Sequence, residues 1–298
     1  MRTVTNFTDV RKELRGSVGL VPTMGYLHEG HMSLIEAARR ASDTVVVSLF
    51  VNPLQFTEDA DLAAYPADLE RDARLAGEVG ADLLFVPSHG EVYPEPPLTT
   101  VTVSGVSAGM EGDHRPGHFD GVAIVVAKLL AGIEPDRAYF GRKDAQQLTM
   151  VTRMAADLSF PTEIVGCSIV REQDGLALSS RNTYLSQEDR DAALSLSTGL
   201  ESVAEAVAGG EGRAAVLEAL ARAPIEAKPG ARLDYATLAS QAEAAPMSGL
   251  DAPAFLAVAA RVGRTRLIDN IYIDSAGDRW VTDLGSRLDS ASILYKEG

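Results

Sequence analysis

A chain of 298 residues, 46 % hydrophobic and 23 % charged, has ordinary globular composition and room for one large domain or two modest ones. Its formal net charge of −15 disfavours nucleic acid and anionic membrane surfaces as partners, because both reward basic protein surfaces. The single cysteine, Cys167, excludes an intramolecular disulfide framework. With no apolar run of about 18 residues and no apolar signal-like N-terminus, the cytoplasm is the expected compartment.

The first half alternates strands and helices. Residues 17–22 read as a strand, 30–41 as a helix, and 44–51 as a continuous β-branched run of the kind buried on both faces of a parallel sheet. A helix over 66–79 follows, with Asp68 and Glu70 in its first turn, then a strand over 82–87 and a helix over 118–133. Residues 137–141, 144–158 and 163–170 repeat the strand–helix–strand pattern, with Cys167 expected as a small core residue. Such alternation predicts an α/β, doubly wound parallel sheet, whose ligands lie beyond the carboxyl ends of the strands. From about Ser186 the texture changes. Helices over 187–208 and 213–221 precede strands over 232–238, 255–262 and 265–273, the last two joined by a turn. The expected organisation is a domain over 1–169 and a smaller α+β domain over 170–298.

Four segments carry candidate chemistry. Val21-Pro-Thr-Met-Gly-Tyr-Leu-His-Glu-Gly-His31 lies where the first of these strands passes into a helix. Helix N-termini suit phosphate, imidazoles donate to phosphoryl oxygens, and Gly30 keeps the backbone accessible to a nucleotide. His28 and His31 are one residue too close for a His-Glu-x-x-His zinc pattern. Gly141-Arg-Lys-Asp144 offers Lys143 as a point charge and Asp144 as a helix cap or ribose acceptor; ordinary turn chemistry explains it equally well. Arg171 to Asn182 contains Gly175 and the run Ser179, Ser180, Arg181, a polyphosphate-binding cluster or an exposed linker. Asn52-Pro-Leu-Gln-Phe56, with Arg115 to Gly121, places the amide of Gln55 at a strand end, as Gln147 is after another. Asp68, Glu70 and Asp72 sit near one helix start, where solvation is commoner than Mg²⁺ binding.

In order, Pro22-Thr-Met-Gly, His28-Glu-Gly-His31, Phe50-Val-Asn-Pro-Leu-Gln-Phe56, Tyr65-Pro66, Gly117-His-Phe-Asp-Gly121, Phe140-Gly-Arg-Lys-Asp144, Gln147, Asp174-Gly-Leu-Ala177 and Ser179-Ser-Arg-Asn182 resemble the pantoate–β-alanine ligases. The likeness is dense over 20–185 and continues thinly at Leu267-Ile-Asp-Asn-Ile271. It implies a Rossmann-like catalytic domain related to class I aminoacyl-tRNA synthetases, with a smaller C-terminal domain closing over it. It implies condensation of pantoate with β-alanine by way of a pantoyl adenylate, using ATP and Mg²⁺. It further implies that His28 and His31 contact the ATP phosphates beside Met24, that Gly141 and Asp144 hold the ribose, and that Val170 lies near the adenine. Lys143, Leu178, Ser179, Ser180 and Arg181 complete the ATP contacts, with His28, His31, Lys143 and Arg181 catalytic and the serine–arginine stretch a mobile loop. Gln55 and Gln147 would bind pantoate. Leu178 replaces a methionine of many relatives, and Arg71 an acid of some, leaving Asp72 as the metal candidate. A homodimer is implied, with 44–51 and the loop after it as one contact region, unless that run is a central strand. The rival readings are a nucleotidyltransferase for another small acid and a non-catalytic nucleotide-binding subunit.

Overall fold

Six parallel strands form the sheet of the first unit: β1 (Arg2–Val4), β2 (Val18–Thr23), β3 (Thr44–Leu49), β4 (Leu83–Phe85), β5 (Arg137–Gly141) and β6 (Glu163–Cys167). Their spatial order is β1-β4-β3-β2-β5-β6. The chain therefore grows outward from β2 through β3 to β4, then returns to the other side of β2 with β5. The switch point falls between β2 and β5, where the carboxyl ends leave a crevice in folds of this kind. The computed structural model describes residues 1–56, 62 and 65–295.

β3 is buried at every position, and it lies between β2 and β4, so its apolar run is core and not a subunit contact. The helices of this unit are α1 (Phe7–Glu13), α2 (Glu29–Ala41), α3 (Leu69–Glu78), α4 (His118–Ile133) and α5 (Ala145–Asp157). The side chain of Asp68 caps α3 by accepting from Arg71 N, so this helix starts later than the expected Pro66. α4 is bounded by left-handed residues at both ends, Gly117 and Glu134, and its span equals the expected one. β1 and α1 are additions to the expected elements. The expected strand over 163–170 is two strands. β6 ends at Cys167, and β7 (Val170–Arg171) pairs elsewhere. β6 is an edge strand, so Cys167 is half-exposed and not a core residue.

The second unit has an antiparallel sheet, β11-β10-β9-β8, made of β8 (Ala231–Ser240), β9 (Ala254–Val262), β10 (Thr265–Ala276) and β11 (Arg279–Asp283). Helices α6 (Gln187–Ala208) and α7 (Ala214–Glu226) cover it through Leu196, Leu200, Val203, Leu217, Leu238, Leu256 and Ile271. The two helices approach closely at Gly199, where a Cβ would lie 2.3 Å from the carbonyl oxygen of Ala221. α7 runs on through Pro224, past its expected end at Ala221, with the fully buried Ile225 fixing the last turn. The units comprise Met1–Leu27, His31–Gly141 and Gln146–Cys167 in the first, and His28–Gly30, Arg142–Ala145 and Ser168–Gly298 in the second. Among the described residues, no helix is long and apolar enough to cross a membrane.

Candidate active site

In the first unit the turn after β2 is built around two left-handed residues, Gly25 at φ 92° and Tyr26 at φ 51°. This geometry aims successive backbone N–H groups at one point, an arrangement that attracts anions. The anion is internal. Tyr26 N donates to Asp72 Oδ2 at 2.8 Å, and Leu27 N donates to Asp72 Oδ1 at 2.7 Å. Arg71 completes the clamp by donating to Leu27 O at 2.7 Å, with its guanidinium 5.1 Å from the Tyr26 ring centroid. Asp72 is only 2 % exposed, and burial pushes its carboxyl above the ordinary range, while the two backbone N–H groups and Arg71 oppose that rise. Both oxygens of Asp72, the residue expected to meet the metal, hold the turn. Among the described residues, no group of three or more His, Cys, Asp or Glu side chains is arranged to hold a metal ion.

Met24, one residue after β2, meets the amide of Gln55, with Nε2 at 2.9 Å from its sulfur. The structure thus joins a residue expected beside the nucleotide to one expected on pantoate. Gln55 is itself fixed by its surroundings. Asn52 Nδ2 donates to Gly121 O at 2.8 Å and to Gln55 Oε1 at 3.2 Å, and Tyr93 Oη donates to Asn52 Oδ1 at 3.1 Å. His118 Nδ1 is 2.8 Å from Gln55 O, so the backbone is held as well as the side chain. Gly121 permits this approach, since a Cβ there would stand 2.1 Å from Leu54 O. The Asn52–Phe56 and Arg115–Gly121 segments are therefore one constellation. Gln147 lies half-buried in the first turn of α5, next to the buried Gln146. The side chain of Gln146 is consumed by structure, donating to Val106 O and Ala108 O and accepting from Glu111 N. Gly141 ends β5, and His31 occupies the first turn of α2, half-buried.

In the second unit His28 precedes α2 and is buried, with Gly30 N donating to its Nδ1 at 3.2 Å. A Cβ on Gly30 would meet the imidazole at 2.9 Å, so this glycine makes room for the folded-back His28 ring. An Nδ1 that accepts leaves the proton of the neutral ring on Nε2, the nitrogen suited to donate to a phosphoryl oxygen. Lys143 lies in the short turn Arg142–Asp144. Asn270 of β10 holds this turn, donating from Nδ2 to Arg142 O at 2.9 Å and to Lys143 O at 2.8 Å. Arg142 packs over the Tyr272 ring at 4.5 Å and reaches Asp283 at 3.1 Å. The backbone fixed this way carries the half-buried Lys143 and the exposed Asp144.

The segment from β7 to Asn182 is anchored at both ends. Arg171 makes a buried bidentate pair with Asp269, at 2.7 and 3.0 Å. Glu172 accepts from Asn182 Nδ2 at 2.7 Å and from Arg190 at 2.6 Å, closing the loop on itself. Gly175, at φ 97°, makes the reversal. Val170 is half-buried and its carbonyl accepts from Leu178 N at 2.9 Å. Ser179 Oγ accepts from Arg181 N at 3.3 Å, which leaves Ser180 half-buried and Arg181 exposed. Leu178, expected among the ATP contacts, is 2 % exposed, so its side chain is a buried anchor for the loop. Tyr93 and Arg190 lie outside the expected segments, and Glu172 and Asn270 lie inside them with no expected role, because only the fold brings these four to what they hold.

A sequence profile described as pantoate-beta-alanine ligase matches residues 1–272. A pantothenate synthetase from Pelotomaculum thermopropionicum is 51 % identical over 257 residues, covering 86 % of this chain and 91 % of the relative. The crystal structure of pantothenate synthetase from Thermus thermophilus is similar at TM-score 0.86 and 49 % identity, covering 91 % of this chain and 98 % of that one. A pantoate-beta-alanine ligase from Francisella tularensis, solved with Beta-gamma ATP and β-alanine, aligns at TM-score 0.73 and 34 % identity, covering 91 % and 97 %.

Proposed function

The chain belongs to the pantoate–β-alanine ligases and forms pantothenate, and on that premise we propose that it does so in two steps through a pantoyl adenylate. In the first, an oxygen of the pantoate carboxylate attacks the α-phosphorus of ATP, and the bond to the bridging oxygen breaks as pyrophosphate leaves. In the second, the amine of β-alanine attacks the acyl carbon, loses a proton, and AMP departs with the carboxylate oxygen. Neither step needs a protein nucleophile; the work is positioning and charge stabilisation.

His28, through Nε2–H, His31, Lys143, Ser179, Ser180 and Arg181 bind the phosphates, with His28, His31, Lys143 and Arg181 carrying the catalytic charge stabilisation. Met24 flanks the nucleotide, Gly141 and Asp144 hold the ribose, and Val170 lies by the adenine. Gln55 and Gln147 bind pantoate; neutral amides suit a hydroxy acid carrying one charge. Mg²⁺ enters with ATP as part of the substrate. Among the described residues no side-chain cluster forms a cage for it, and Asp72 already accepts from two backbone N–H groups, so no step is assigned to the ion. We assign a cytoplasmic homodimer. A monomer by sedimentation would remove that assignment.

The observation that carries the function is near half identity to pantothenate synthetases over nine-tenths of the chain. The test supplies ATP and Mg²⁺ with a panel of small acids and amines, and follows AMP and pyrophosphate. Pantoate with β-alanine yields both products. Turnover of another acid at equal efficiency, or ADP as product, removes the reading.

A further inference from the structure

Ser180 and Arg181 stand on a short 3-10 turn (Ser180–Tyr184) whose own bonds are local: Ser179 Oγ accepts from Arg181 N, and Asn182 N donates to Ser179 O at 2.9 Å. A turn of that length has too few hydrogen bonds to keep its place alone. Its hold comes from Asn182, 2 % exposed, which donates from Nδ2 to Glu172 Oε1 at 2.7 Å and to Ala177 O at 3.0 Å. Glu172 is itself only 4 % exposed, and a carboxylate taken out of water needs an opposite charge. Arg190, near the start of α6, supplies it, donating to Glu172 Oε2 at 2.6 Å.

Arg190 reaches further than Glu172. Its Nε donates to Asp174 Oδ2 at 2.9 Å, while Asp174 Oδ1 accepts from Leu176 N at 3.2 Å across the reversal at Gly175. Another guanidinium N–H donates to Tyr295 Oη at 3.0 Å, and that hydroxyl donates to Glu172 Oε1 at 3.0 Å. One planar side chain thus ties the outgoing limb of the loop, at Glu172 and Asp174, to the returning limb at Asn182, and fastens both to a helix of 22 residues packed on the antiparallel sheet. All of these residues belong to the second unit. We infer that Arg190 is a positioning residue for the reaction: by neutralising Glu172 it clamps both limbs of the loop and keeps Ser180 and Arg181 preset for the ATP phosphates. This rests on the assignment of that loop to ATP. Arg190 acts through Glu172 and Asn182 and does not itself meet the nucleotide.

The test is steady-state kinetics on the full chain. Arg190→Gln leaves Glu172 buried without its counter-charge, so the loop end is released and ATP binding must order it again. The KM for ATP rises about tenfold and the KM for pantoate stays within about twofold. Adding Glu172→Gln removes the stranded charge but keeps an oxygen for Asn182, and returns the KM for ATP to within about threefold of the native value. An unchanged KM for ATP in Arg190→Gln overturns the clamp. So does a rise shared equally by pantoate, or one that Glu172→Gln fails to relieve. Should Arg190→Gln not fold, Arg190→Lys carries the test: it keeps the charge, loses the planar fork and raises the KM for ATP alone by about threefold, and a native KM in it overturns the clamp. Arg181→Ala is measured in parallel. Normal ATP use by that variant removes the underlying assignment of the loop, whereas loss of ATP use in it beside a normal Arg190→Gln removes the clamp alone.

Discussion

In the parallel-sheet unit the candidate residues leave directly from strand ends and helix starts, and the backbone of the fold aims them. Met24 follows β2, Gly141 ends β5 and Gln147 opens α5. In the antiparallel unit Lys143, Ser180 and Arg181 occupy single short 3-10 turns, and side chains do the holding. Asn270 fixes the Lys143 turn, Arg171 with Asp269 fixes the root of the loop, and Glu172 fixes its far end. The first arrangement spreads its support over a ladder of hydrogen bonds. The second depends on a few buried polar ties, each of which matters more when lost.

The comparison is sharpened most by a pair of active-site substitutions. Lys143→Ala lowers the rate of pyrophosphate release by about 10²–10³-fold, the usual loss when one group stabilising transition-state charge is removed. Gln55→Ala chiefly raises the KM for pantoate and spares that for ATP, because its partners and its assigned substrate both belong to the sheet unit. Steady-state kinetics with each substrate varied separates the two; a rise in the KM for ATP alone in Gln55→Ala contradicts the division.

The next effect is on stability, with one buried tie broken in each unit. Arg171→Ala strands Asp269 without its partner and costs about 3–5 kcal/mol. Asp72→Ala leaves two backbone N–H groups unsatisfied and costs about 1–3 kcal/mol, with the Mg²⁺ dependence of turnover unchanged. Urea unfolding followed by tryptophan fluorescence and circular dichroism gives both figures. A loss of Mg²⁺ response in Asp72→Ala, with stability intact, would give that carboxylate the metal role instead.

The smallest effect appears in alkali. Burial pushes the phenols of Tyr93, in the sheet unit, and Tyr295, in the last turn of the antiparallel unit, up to about 12 from the ordinary 10.0. A raised phenol keeps its proton in the native state where the unfolded chain has lost it. Its stabilising contribution is full below about pH 10 and falls as the pH rises through about 12. Tyr93→Phe and Tyr295→Phe each flatten the decline in stability between those values, Tyr93→Phe more, since Tyr93 is the more deeply enclosed. Unfolding midpoints at stepped pH report it; equal slopes in wild type and Tyr93→Phe refute the contribution.

Legibility in the sequence follows the same division. The run 44–51 and the helix 118–133 are readable because period and burial agree along their whole length, and the α/β class follows from their alternation. β1 and α1 are too short to show a period. The strand over 163–170 divides because an edge strand is half-exposed and its apolar run looks like a buried one. Gly25 signals a tight turn, but nothing in the spacing tells that Asp72 holds Leu27 N, 45 residues away. Leu178 and Ser179 are neighbours in a motif, and only packing separates the anchor from the polar residue beside it.

The central claim is that pantoate is activated before the amine arrives. Pyrophosphate exchange into ATP, measured with pantoate and Mg²⁺ but without β-alanine, tests it directly. The account predicts exchange that depends on pantoate and disappears in Lys143→Ala. No exchange until β-alanine is added would contradict an adenylate formed in a separate first step.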